Sequence, residues 1–251
     1  MPYREITGNL FASEADALVN TVNCVGFMGK GVALEFRRRF PEMFKEYKQV
    51  CERGELRPGQ ILPYRKCTPS VLNFAVKNDW KHPSKIEWID TSLQKFCEWY
   101  PSHGLRSVAF PWMGAMNGGI HLSEIQGLTR KYLEPLTDID VEVYTFDEAA
   151  TDPLFENLSK LCDGMDVKSF HEKSCIQLHR CEELYRLMEH PGTTSLTAIV
   201  ESGIMGKTSI DRLYGFLVEC QQTKFCDKLN QLRPSQMDLF GKMNHGVEAI
   251  S

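Results

Sequence analysis

Residues 17–41 read ALVNTVNCVGFMGKGVALEFRRRFP, and the order of residue types in this stretch decides the fold class. Ala17–Asn23 is a short apolar, β-branched run, which predicts a buried strand. It ends in Asn20 and Asn23 and passes into glycines at 26, 29 and 31, after which the spacing becomes helical. Glycines let backbone N–H groups approach an anion without Cβ interference, and the amino end of the following helix adds partial positive charge. The stretch is therefore a phosphate loop in the general sense, yet it carries neither standard nucleotide fingerprint. Val32 follows Gly31, so the Gly-Lys-Ser/Thr ending of a Walker loop is missing, and the Gly-x-Gly-x-x-Gly spacing fails at Leu34. GIMGKTS at 203–209 fails as well, since the leading glycine would fall on Glu201.

Outward from this stretch the pattern repeats. Strands are predicted at 17–23, 60–64, 71–77, 107–112 and 141–146, and helices at 31–40, 42–53, 85–99 and 123–133. Such alternation predicts an α/β fold with helices covering a sheet. Pro41 ends one helix or begins the next, and Gly54 and Pro58 close the following one. A second glycine-rich turn, PWMGAMNGGI at 111–120, follows a strand. Its glycines at 114, 118 and 119 form the opposite lip of a cleft, because α/β sheets bind ligands at the carboxyl ends of their strands.

After Phe146 the polar break DEAATDP, ending in Pro153, interrupts the strand-like runs. From 154 to 228 the apolar residues keep three-to-four spacing, as in Leu184, Leu187 and Met188, then Leu196, Ile199 and Val200, then Ile210, Leu213, Tyr214 and Leu217. A small helical domain is expected there, with Thr194 or Ser195 capping its short middle helix and Thr208 or Ser209 starting the next. Helix, short helix, turn and helix outline a helix-turn-helix or winged-helix unit, or an ordinary three-helix bundle for protein contact. A tail at 229–251 completes the three-part division.

Hydrophobic residues make up 42% and charged residues 25% of the 251 residues, which excludes wholesale disorder. A formal net charge of -4 excludes coating nucleic acid by bulk charge; Arg37, Arg38 and Arg39 are either local phosphate contacts or a solvated helix face. The start MPYREITGNL has no signal-peptide pattern, and no apolar stretch approaches the ~20 residues that span a bilayer. A cytoplasmic protein without membrane association is expected. The nine cysteines show no CxxC pair and suit reduced thiols. His171, Cys175, His179 and Cys181 are close in sequence but lack the tighter pattern of a zinc site, so neither metal nor cofactor is expected.

Residues 8–41, together with LNFAVKNDWKHPS at 72–84 and the turn at 111–120, resemble macrodomains, specifically the DarG type. These are antitoxins that remove ADP-ribose placed on thymidines of DNA by a partner toxin. The likeness covers residues 1–148 and implies an α/β macrodomain with a mixed, mostly parallel sheet flanked by helices. It implies that Asn9 and Leu10 lie near adenine, with Asn9 where many macrodomains use Asp, and that Asn20 and Asn23 face the distal ribose. Gly26, Gly29, Lys30, Gly31 and Val32 would shape the first loop, and Gly114, Ala115, Met116, Asn117, Gly118 and Gly119 would wrap the diphosphate. Met116 stands where the group often has glycine. Lys77 would be the catalytic residue, its amine attacking the anomeric carbon after ring opening or assisting that opening. A lysine partly desolvated beside a ribose has the lowered pKa such a role needs.

Trp80, Lys81 and His82 follow, suited to stacking on a nucleobase and meeting phosphate, although Trp80 fits a core-capping role equally. In the tail, Gln236, Leu239 and Phe240 of QMDLF resemble the peptide by which bacterial DNA repair proteins dock on the sliding clamp, or else pack on the second domain. The expected partners are thus ADP-ribose or ADP-ribosylated DNA, a DarT-like transferase toxin, and the clamp. A DNA ADP-ribosyl glycohydrolase is the leading expectation. A reader that binds ADP-ribose without cleavage, or an antitoxin module acting through its helices, is the alternative.

Overall fold

The computed structural model describes residues 2–115 and 118–230, without the side chains of 222–230. The chain divides into two compact units, the first closing at Phe146 and the second opening at Asp147.

In the first unit, six strands form one mixed sheet: β1 (Tyr3–Gly8), β2 (Ala17–Asn23), β3 (Ile61–Tyr64), β4 (Ser70–Lys77), β5 (Ser107–Pro111) and β6 (Asp140–Phe146). The order is β1-β6-β5-β2-β4-β3; every neighbouring pair is parallel except β3 with β4. The central strands β2 and β4 are buried along nearly their whole length, as parallel strands covered on both faces are.

Alternation along those strands builds two cores. Ala17, Val19, Leu72, Phe74 and Val76 face one side, beneath Ile89, Leu93 and Phe96 of α3 (Ile86–Trp99) and Ile125 and Leu133 of α4 (Leu122–Leu133). Leu18, Val22, Val71 and Ala75 face the other, beneath Phe36 of α1 (Gly31–Arg39) and Met43, Tyr47 and Val50 of α2 (Pro41–Glu52). Pro41 occupies the first turn of α2, where its missing N–H is not needed.

Strand β1 is not among the strands anticipated from sequence. Its residues YREITG are largely exposed, so no apolar alternation announces it. It is held instead by its register on β6 and by ion pairs, Arg4 to Glu142 at 2.6 Å and Glu5 to Arg130 at 2.6 Å. The arginine run of α1 is engaged within the fold rather than standing as a fully solvated face. Arg37 donates to the Met28 carbonyl at 3.2 Å, Arg38 and Arg39 pair with Glu35, and Arg39 lies 4.3 Å from the Phe11 ring centre.

The second unit contains α5 (Pro153–Gly164), α6 (Val167–Ser174), α7 (Leu178–Met188), α8 (Leu196–Glu201) and α9 (Lys207–Asn230), packed on Leu158, Phe170, Leu184, Ile199 and Leu217, with no strand among the described residues. Pro153 opens α5 rather than ending the polar break, because Asp152 caps the helix by accepting from Leu154 N. Acidic side chains outnumber basic ones over 147–230. His171 Nδ1 and Cys181 Sγ both face the Ile176 carbonyl, while Cys175 is exposed. Among the described residues no helix is long and apolar enough to cross a membrane.

Ser195 caps α8 by accepting from Ala198 N at 3.1 Å. Ser195→Ala is expected to lower the stability of this unit by about 1 kcal/mol, read as a shift of its denaturant midpoint at unchanged slope.

Candidate functional site

The carboxyl ends of β2 and β4 lie side by side, and the pairing places Asn23 opposite Lys77 across a bulge. One residue on, Cys24 N donates to the Asn78 carbonyl at 3.0 Å. The lysine thus stands at the root of the first glycine turn. Burial lowers the pKa of its ammonium below the ordinary lysine value, since desolvation disfavours the charged form. The nearby Cys24 and Cys51 thiols go the opposite way: burial pushes them up to about 12 and about 11. Both thiols are protonated at neutral pH.

Asn23 builds the first turn from within. Its Oδ1 accepts from Val25 N at 3.0 Å, Phe27 N at 3.3 Å and the Tyr47 hydroxyl at 3.1 Å, while its Nδ2 donates to the Phe27 carbonyl. Tyr47 also donates to the Asn23 carbonyl at 2.8 Å from a fully buried position. Tyr47→Phe is expected to cost about 1–2 kcal/mol by removing the donor to these oxygens, measured by urea unfolding.

The turn leads to Lys30 at the N-cap of α1, whose side chain makes no cap hydrogen bond among the described residues; an amino end of this kind is where helices hold anions. Gly31 and Lys30 are exposed, while Val32 is half-buried against the second core. Gly29 has a specific reason: a Cβ there would fall 2.3 Å from Phe27 Cε1. Only glycine lets the Phe27 ring lie back over its own loop.

The second turn is tied to the first through the connection at 78–84. Ser84 N donates to the Gly118 carbonyl at 2.9 Å, and the Cβ of Pro83 would be 3.7 Å from a Cβ on Gly119. Gly114 has a φ of +82°, and Ile120 N bonds its carbonyl at 3.2 Å. Ala115 packs on the first core. The Ser84 hydroxyl is buried beneath this turn and has no partner among the described residues. At the other end of the connection, Trp80 meets Phe27 with ring centres 4.9 Å apart. Trp80 is 48% exposed, so it does not cap the core. Lys81 and His82 are exposed, their backbone turn fixed by Asp79: Lys81 N donates to Asp79 Oδ1 at 3.0 Å and His82 N to the Asp79 carbonyl at 3.2 Å.

Three of the anticipated ligand residues sit differently from the rest. Asn20 is fully buried, and its Nδ2 donates to Asn73 Oδ1 at 2.9 Å, the two being directly opposite in the sheet. It belongs to the floor of the sheet, where Asn73 in turn donates to the Leu62 carbonyl. Leu10 is buried in the second core, and its carbonyl accepts from Ser13 N at 3.2 Å. Asn9 caps the short 3-10 turn Leu10–Ala12, its Oδ1 accepting from Phe11 N at 3.0 Å. Met116, Asn117, Gln236, Leu239 and Phe240 lie outside the described residues. Phe27, Tyr47, Asn73 and Ser84 escaped the sequence reading, because each acts through contacts between segments distant in the chain.

Comparison with known proteins gives the same outline. Residues 19–126 match the Macro domain family. A DNA ADP-ribosyl glycohydrolase of Thermus aquaticus is 40% identical over 145 residues, which is 56% of this chain and 40% of that protein; the chain thus spans about two fifths of the length of the curated relatives it matches. The macrodomain of Thermus aquaticus DarG superposes with a TM-score of 0.55 at 39% identity, covering 57% of this chain and 97% of that one. Thermosipho africanus DarTG in complex with ADP-ribose gives a TM-score of 0.53 at 29% identity, covering 59% and 42% of the two chains. With nearly the whole of a DarG macrodomain matched at this identity, the chain belongs to the macrodomain family.

Proposed function

We propose that the first unit is a DNA ADP-ribosyl glycohydrolase: it binds ADP-ribose attached to a thymine base and releases it by hydrolysis. The observation that carries the reading is the position of Lys77, whose pKa is lowered by burial, directly across from Asn23 at the root of the first glycine turn. The relatives' names support the reading: two proteins similar to this chain over about 145 residues are named DNA ADP-ribosyl glycohydrolase.

In this reading the amino end of α1 and the glycines of the second turn take the diphosphate. The neutral amine of Lys77 then attacks the anomeric carbon once the ribose ring has opened, or promotes that opening. The bond between the anomeric carbon and the base nitrogen breaks as a proton passes to the base; where Lys77 has bonded to the carbon, water then displaces its amine, so the carbon ends with the oxygen of water, Lys77 is regenerated, and ADP-ribose and unmodified DNA are left. Trp80, Lys81 and His82 border the site on the side of the DNA. A DarT-like ADP-ribosyltransferase would supply the modified substrate, and the acidic helical unit is the natural candidate for holding such a partner.

A panel of ADP-ribosylated substrates tests the proposal: thymidine oligonucleotide, guanosine oligonucleotide, protein side chains and a free ADP-ribosyl ester. Release from the thymidine oligonucleotide is expected to dominate. Tight ADP-ribose binding with no release from any of the four would replace the hydrolase by a reader.

A further inference from the structure

Five large hydrophobic side chains are conspicuously exposed among the described residues, and three of them, Val25, Phe27 and Trp80, stand on the two loops that flank Lys77. Large aromatics are usually buried, and apolar surface gathered beside a polar cleft marks a binding face. The two rings come from different loops, at 4.9 Å between centres and 39° between planes.

Each ring is held in place from outside the pair. Phe27 is anchored through its own N–H and carbonyl to the Asn23 side chain, and its ring rests in the space that Gly29 leaves. Trp80 sits within the turn fixed by Asp79, with Lys81 Nζ 5.5 Å from its ring centre. Because Asn23 is the sheet partner of Lys77, the rings keep a fixed place relative to the lysine backbone.

Resting on the hydrolase reading, we infer that Phe27 and Trp80 form a two-loop aromatic platform that receives a nucleobase of single-stranded nucleic acid. Phe27 is its specificity-determining member, alongside Trp80. Two exposed rings, tilted against each other and held from outside the pair, with the Lys81 amine over the Trp80 ring, match the needs of stacking plus phosphate contact. A protein acceptor offers neither a second base nor a phosphate at that position. A duplex keeps its bases stacked on one another and unavailable to such rings. The platform therefore selects the acceptor, while the glycine turns hold the ADP-ribose common to all acceptors.

The test compares affinities in the Lys77→Ala background, where no turnover interferes. A fluorescently labelled single-stranded thymidine oligonucleotide carrying ADP-ribose is expected to bind at least about tenfold more tightly than ADP-ribose alone, the scale of one stacked base. Trp80→Ala and Phe27→Ala should each remove most of that surplus and leave ADP-ribose affinity unchanged, while Trp80→Phe should keep most of it. Both side chains are exposed, so the substitutions do not empty the core.

Equal affinity for the modified oligonucleotide and ADP-ribose would overturn the platform, as would alanine variants that weaken both ligands alike. An ADP-ribosylated peptide gaining the same surplus would overturn the nucleobase as its occupant. Turnover by the unmodified protein is read separately. Absence of release with the surplus intact would remove the hydrolase and keep the platform, and release without any surplus would do the reverse.

Discussion

Lys77→Ala is expected to slow release of ADP-ribose from modified thymidine oligonucleotide by about 10²–10⁴-fold, the usual contribution of a positioned proton-transfer or nucleophilic group. ADP-ribose affinity should stay within a few-fold of the parent. Lys77 ends β4 with a half-buried side chain, outside the two glycine turns, so its loss removes no backbone donor to the diphosphate. The pH dependence has a definite sign. Only the neutral amine attacks or accepts a proton, and burial lowers the pKa of this lysine, so kcat/KM should rise with pH and level off below the pH at which an ordinary lysine titrates. Lys77→Arg retains charge and bulk but not a titratable amine, because a guanidinium does not deprotonate in proteins. It should be as inactive as the alanine variant. Turnover by Lys77→Ala equal to that of the parent would exclude the assigned role.

Much of this arrangement is legible in residue order because its signals are local. The buried run 17–23 followed by glycines, and 71–77 ending in lysine, are contiguous patterns, and the structure carries both as β2 and β4. The match to macrodomains rests on the same segments. What could not be read is what depends on distant partners. Strand β1 exists because β6 offers a free edge, not because YREITG alternates. Asn20 and Asn23 are three residues apart with the same side chain, yet Asn20 pairs with Asn73 in the sheet floor while Asn23 organises the turn above it. Sequence places both near the ligand; their burial and hydrogen-bond partners in the fold separate their roles. Likewise the three consecutive arginines invite a phosphate reading, but the Met28 carbonyl, Glu35 and the Phe11 ring already engage them.

Gly118→Ala should be the most damaging substitution in the second turn. A Cβ at 118 would lie 2.2 Å from the Gly114 carbonyl oxygen and 2.5 Å from its Cα. Both are backbone atoms of the same turn, so no side chain can rotate away to make room. Relief requires opening the turn, which would break the bond from Ser84 N to the Gly118 carbonyl and free the connection that carries Trp80. Overpacking of this kind costs about 1–3 kcal/mol, and where the strain falls on the ligand loop it should appear as a roughly 10- to 100-fold loss of ADP-ribose affinity by calorimetry. Gly127→Ala supplies the contrast. That glycine lies inside α4, and an added methyl group there would meet nothing within 4 Å among the described residues, so alanine should stabilise the unit by up to about 1 kcal/mol and leave ADP-ribose affinity unchanged. The two variants add the same methyl group, and only the one facing the Gly114 backbone should weaken the ligand. If Gly118→Ala binds ADP-ribose as the parent does, the second turn is not the diphosphate cradle, and the assignment of the cleft between the two turns fails with it.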